Sequence, residues 1–118
     1  MEMETKKIGD VLIIKPVLKR IDSAASVEFG ETFLSFCSAD ARTVILNLAN
    51  VEFVDSRGIG TLISLFKKVE DRGSLLLCNM KSPVMSLFHL TRMDKVFTIF
   101  DTEEEALKHH APKAHTSK

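Results

Sequence analysis

The chain has no tryptophan and no tyrosine among its 118 residues, so its eight phenylalanines must supply all the aromatic packing. Cysteine is scarce as well. Cys37 and Cys78 stand far apart, belong to no CxxC pair and sit among apolar neighbours. Each is expected to be a small buried hydrophobe, not half of a disulfide or a metal ligand. Charge excess of either sign is missing, because 16 acidic residues cancel 16 basic ones. Nucleic-acid backbones attract proteins through a net basic face, so no direct nucleic-acid partner is expected. No apolar run approaches the roughly 20 residues that cross a bilayer, and no membrane span is expected. Residues 1–7 are charged and lack the apolar stretch of a signal peptide. A cytoplasmic address is the corresponding expectation.

What is present suffices for a core. Hydrophobic residues make up 45% of a chain whose length suits one domain. Val11-Leu12-Ile13-Ile14 is a β-branched apolar run that ends near Pro16 and reads as a strand, with residues 3–8 as a weaker partner across a Gly9-Asp10 turn. Asp22 or Ser23 suits a helix N-cap ahead of Val27, Phe29, Phe33, Leu34 and Cys37, although Gly30 interrupts that helix. Thr43-Val44-Ile45-Leu46-Asn47-Leu48 reads as a central strand buried on both faces.

Over residues 58–72, Ile59, Leu62, Ile63, Phe66 and Val69 recur at helical spacing, with Lys67, Lys68, Glu70 and Asp71 opposite and Gly73 as the stop. Residues 74–79 read as another buried strand. Ser82-Pro83 opens a helix with Val84, Leu87, Phe88 and Thr91 on its inner face. Residues 96–100 read as a last strand, followed by a helix from Asp101 or Thr102 through Leu107. The expected fold is α/β: one domain over residues 1–108, a mixed sheet with crossover helices, in the order β-β-α-β-α-β-α-β-α. Residues 109–118 are polar, lack periodicity and are expected to form a flexible tail.

The chemistry concentrates between the central strand and the amphipathic helix, in Asp55-Ser56-Arg57-Gly58-Ile59-Gly60. Sites in α/β sheets favour this place, past the carboxyl end of a strand. Ser56 lies at or just before the helix start, where unpaired N–H groups and the helix dipole favour an anion. Gly58 and Gly60 allow a tight turn and close approach to another surface. Spacing alone leaves a second reading open, in which Asp55 and Ser56 are an ordinary capping pair. Enzymatic readings have less support. The loop is no P-loop, and Val54 stands where a nucleophile elbow needs glycine. His89, His109, His110 and His115 fall in no motif that places a base or a metal set, so neither catalysis nor a cofactor nor a metal is expected.

The loop, with Val44-Ile45-Leu46-Asn47-Leu48 before it, resembles the STAS family, in particular its stand-alone bacterial anti-sigma factor antagonists. The resemblance continues through Gly73, residues 75–79, Val84-Met85-Ser86-Leu87-Phe88, Met93-Asp94-Lys95-Val96-Phe97 and Asp101-Thr102-Glu103-Glu104-Glu105-Ala106-Leu107. It implies that Ser56 is phosphorylated by an anti-sigma factor serine kinase that the unphosphorylated form binds, and that a PP2C-type phosphatase reverses the step. It implies regulation of sigma-factor-dependent transcription, with ATP and magnesium belonging to the kinase. The partner-binding residues expected are Asp22, Asp55, Ser56, Arg57, Gly58 and Ile59, and an exposed Ile59 or Phe53 is expected to supply the apolar part of the contact. Arg57 stands where the family usually has a small residue. The alternative on the same fold is a docking subunit of a lipid-transport or stressosome-like assembly that needs no phosphorylation.

Overall fold

The computed structural model describes residues 1–37 and 41–113. Strands β1 (Met3–Ile8) and β2 (Val11–Pro16) form an antiparallel hairpin. Its two-residue turn places Gly9 at φ +62°, a left-handed conformation that glycine adopts without steric cost. The chain then runs through β3 (Arg20–Ile21), α1 (Ser26–Phe36), β4 (Thr43–Asn47), β5 (Phe53–Val54) and α2 (Ser56–Glu70). It ends with β6 (Ser74–Cys78), α3 (Ser82–Leu90), a short 3-10 turn (Met93–Lys95), β7 (Thr98–Phe100) and α4 (Glu103–Lys113). The main sheet has the order β1-β2-β4-β6-β7, parallel except for β1, while β3 and β5 pair separately. The mixed sheet with crossover helices is therefore as expected, with the β3/β5 ribbon added.

Two-residue periodicity sorts each central strand between two cores. Leu12, Ile14, Val44, Leu46, Leu75 and Leu77 face the larger one, where Phe29 and Phe33 of α1, Leu62 and Leu65 of α2 and Phe88 of α3 close over them. Val11, Ile13, Ile45, Leu76 and Cys78 face the other side, covered by Ala106 of α4. Continuous apolar runs are what two-sided burial requires. Phe97 joins the larger core, with ring centroids 5.2 Å from Phe66 and 5.6 Å from Phe88. Asn47 is buried but satisfied: its amide donates to Glu103 Oε1 at 2.9 Å and its oxygen accepts from the Ala49 N–H at 2.9 Å.

Several boundaries differ from the sequence reading, each for a visible reason. α1 starts at Ser26, after a turn at Asp22. Gly30 lies inside it, where a Cβ would make a tight 3.3 Å contact with Thr61 Cγ2 of α2. Gly73 does not end α2 by a left-handed turn. The Arg42 carbonyl occupies the space its Cβ would need. Lys81, not Ser82, precedes α3. Helix α4 continues past Leu107 to Lys113, so the expected tail is helical up to that point, and residues 114–118 lie outside the described residues. No described helix is long and apolar enough to cross a membrane.

Both cysteines are unpaired. Cys78 is fully buried, and burial, reinforced by the Glu103 charge, pushes its thiol up to about 12. Cys37 is half-buried, and burial raises it against the pull of Arg72.

Candidate functional site

The two short strands that carry no periodicity set the site. β3 and β5 run parallel, with Arg20 opposite Phe53 and Ile21 opposite Val54. Asp22 and Asp55 come next on each strand, so the same register brings the two carboxylates to the head of two adjacent loops. Backbone bonds fix the pair. Glu52 and Phe53 donate to the Lys19 carbonyl at 2.7 and 3.2 Å, and Asp55 donates to the Ile21 carbonyl at 3.3 Å.

Asp55 is the N-cap of α2. Its backbone is extended, and its Oδ1 accepts from the Gly58 N–H at 2.9 Å. Its Oδ2 accepts from the Ser23 N–H at 3.0 Å, in the other loop. Asp22 works closer to home. Its Oδ1 accepts from Ala24 and Ala25 N–H groups, both at 3.1 Å, and its Oδ2 accepts from Arg20 Nε at 3.1 Å. The hydrogen bond from Arg20 is the main reason its carboxyl lies below the ordinary value; partial burial opposes it and the Ala25 and Ala24 N–H groups assist. Arg20 also lies 4.2 Å over the Phe53 ring, a contact worth about 0.5–1 kcal/mol at an exposed site.

Ser56 occupies the first helical position and is exposed. With Asp55 acting as the cap, the serine hydroxyl is not needed by the helix, and it makes no hydrogen bond among the described residues. The capping-pair reading thus holds for Asp55 and not for Ser56. No acidic residue lies in the first turn of α2, where the positive end of the helix dipole falls and Asp55 takes the Gly58 N–H. No base is hydrogen-bonded to Ser56 among the described residues.

The remaining sequence-derived positions separate into surface and support. Arg57 is exposed and forms no ion pair among the described residues. Gly58 is buried, because a Cβ there would collide with the Ile21 carbonyl oxygen and lie 2.8 Å from Val54 Cγ1. Gly60 has nothing near its would-be Cβ, so the close approach expected of both glycines belongs to Gly58 alone. Ile59 is 8% exposed and packs into the larger core. It cannot be an apolar contact for a partner. Phe53, at 40% exposure, can. Arg20 is a site residue that the sequence did not signal, since its place depends on the register of a two-residue strand. Ser23, one of the two candidate caps of α1, instead serves Asp55 through its backbone N–H.

The model of the STAS domain matches residues 2–106. An anti-sigma F factor antagonist of Paenibacillus polymyxa is 31% identical over 65 residues, which are 54% of this chain and 56% of that protein. Among solved structures, a Thermotoga maritima protein classed as an anti-sigma factor antagonist superposes with a TM-score of 0.81 at 26% identity, covering 91% and 92% of the two chains. The anti-sigma factor antagonist SpoIIAA in unphosphorylated form gives 0.71 at 20% identity, over 92% and 95% of the chains. The phosphorylated form of SpoIIAA, a Bacillus cell fate determinant, gives 0.65 at 20% identity, over 92% and 98%. The match over almost the whole length, on the fold just described, places this chain in the STAS domain family.

Proposed function

We propose that this STAS domain is an anti-sigma factor antagonist controlled by phosphorylation at Ser56. The observation that carries the reading is the exposed Ser56 hydroxyl at the first position of α2, left unused because Asp55 caps the helix. The unphosphorylated form binds an anti-sigma factor serine kinase, freeing a sigma factor, and phosphorylation dissociates the pair. A PP2C-type phosphatase resets the cycle, and the protein itself performs no catalysis. The relatives' names support the role, and SpoIIAA, which shares the fold, has itself been solved in both phosphorylation states. A cytoplasmic setting accords with such partners.

The contact surface consists of Ser56, Arg57, Asp22, Arg20 and Phe53, with Asp55, Gly58 and Ile59 supporting it from below. A phosphate adds about −1.5 to −2 charge at neutral pH. The helix terminus tolerates that charge, and Arg57 is adjacent to receive it. Asp22 and Asp55 at the same loops repel it. Inside a closed interface, the same charge faces a desolvation penalty of several kcal/mol. Affinity therefore falls far more than fold stability.

The test combines the protein, the kinase that co-purifies with it, and ATP, read by intact mass. The wild type gains about 80 Da, one phosphoryl group, and Ser56→Ala gains nothing. Added mass on the variant, or none on the wild type, overturns the reading. Calorimetry of Ser56→Asp against the same kinase should show affinity lost. Undiminished binding removes the charge argument.

A further inference from the structure

Strand β1 is one of the two end strands of the main sheet, and residues 4–8 on it are exposed. The Val17 N–H donates to the Glu2 carbonyl at 3.1 Å, and the hairpin register sets Glu2 opposite Val17, one step before Met3 opposite Pro16. Backbone groups of successive residues in an antiparallel strand point to alternate sides. Glu2, Glu4, Lys6 and Ile8 therefore turn their N–H and C=O groups toward β2. Met3, Thr5 and Lys7 turn theirs away from the sheet. Such a row is a template for one more strand unless something blocks it.

From the charge pattern along this edge we infer that two copies of the chain join through β1, antiparallel, about a twofold axis normal to the sheet. That axis keeps each side chain on its own face and must also bring outward backbone groups together. Few registers do both. In one, Glu4 would stand opposite Glu4 of the second copy. In another, Lys6 would stand opposite Lys6. The register between them sets Thr5 against Thr5, Met3 against Lys7, and Glu4 against Lys6 twice over. Its outward groups all meet partners. The Glu4–Lys6 pairs fall at the sites without backbone bonds, where Cβ atoms come closest and opposite charges stabilise most. Lys6 Nζ already lies 3.0 Å from Glu103 Oε2, so the second copy's Glu4 extends an existing alternation of acid and base on the α4 face. The interface is isologous and closes on itself, so it stops at a dimer. β1 takes no part in the Ser56 site, and this assignment stands apart from the proposed switch.

Sedimentation equilibrium from micromolar to millimolar protein should show the apparent mass rising from 13.2 kDa toward twice that value. Glu4→Lys and Lys6→Glu should each sediment as monomers alone and associate when mixed, because the mixture restores opposite charges at every pair. Thr5→Pro deletes an outward N–H and spares the β1–β2 ladder, so it should weaken association by more than roughly tenfold with an unchanged circular dichroism spectrum. A wild type that stays monomeric throughout, a mixture that does not associate, or a folded Thr5→Pro variant that dimerises normally each overturns the assignment.

Discussion

Asp22 and Asp55 follow paired strands at the same level, yet they do different work. Asp22 bonds to residues within three positions of itself, Arg20, Ala24 and Ala25, and shapes one loop. Asp55 reaches Gly58 in its own helix and Ser23 in the other loop. Removing Asp22 therefore loosens a turn, whereas removing Asp55 uncouples two segments that build one surface. The same contrast leaves the serine beside Asp55 exposed and without a capping task. A single carboxylate performs the structural tasks that would otherwise occupy the hydroxyl.

Substitutions can break this contrast in order of expected effect. Gly58→Ala should cost about 3 kcal/mol or more, because the obstacle is the Ile21 backbone carbonyl, which has no rotamer by which to yield. Urea titration checks it, and a change within about 0.5 kcal/mol, the ordinary range of a surface substitution, contradicts the close approach. Asp55→Ala should cost about 2 kcal/mol, combining the lost cap with an unpaired Ser23 N–H. Asp55→Ser sharpens the point, since serine can cap Gly58 but is too short to serve both loops; it should recover part of the loss. Asp22→Ala should cost less than Asp55→Ala by the same measurement, because it loosens only its own turn.

Asp22 also carries a pH dependence. Its native carboxyl is held below the ordinary value, so the unfolded chain binds the proton more readily. Its contribution is complete above the ordinary carboxylate range and is lost as pH falls through the lowered native value. Asp22→Asn should flatten the acid side of a stability–pH curve slightly, the effect being small at an exposed site. Ser56→Ala closes the series with a stability change within about 0.5 kcal/mol. A larger loss would mean that the hydroxyl serves the fold.

The strands and helices of the main layers were legible because burial on both faces writes continuous apolar runs, as in Val44-Ile45-Leu46, and burial on one face writes the spacing of Ile59, Leu62 and Val69. The Asp55-Ser56 loop was legible through its position ahead of that helix. Strands β3 and β5 were not, since two residues cannot display a period. Their pairing nonetheless positions Arg20 and sends Asp22 to the site. Ile59 and Phe53 could not be told apart for a related reason: both adjoin the loop in sequence, and only the first turn of α2 shows that Ile59 points inward. Gly60 and Gly73 show that a glycine alone does not reveal whether it serves a turn, a close approach or neither.

Cys78 offers a practical consequence. A thiol buried beneath α4 and pushed up to about 12 has almost no thiolate at neutral pH, so alkylating reagents should pass it by while the sheet is closed. Cys37, half-buried at the end of α1, should be modified first. The chain thus carries two clocks of different depth, one reporting local loosening of a helix end and the other the opening of the β-sheet itself, without any label having to be engineered.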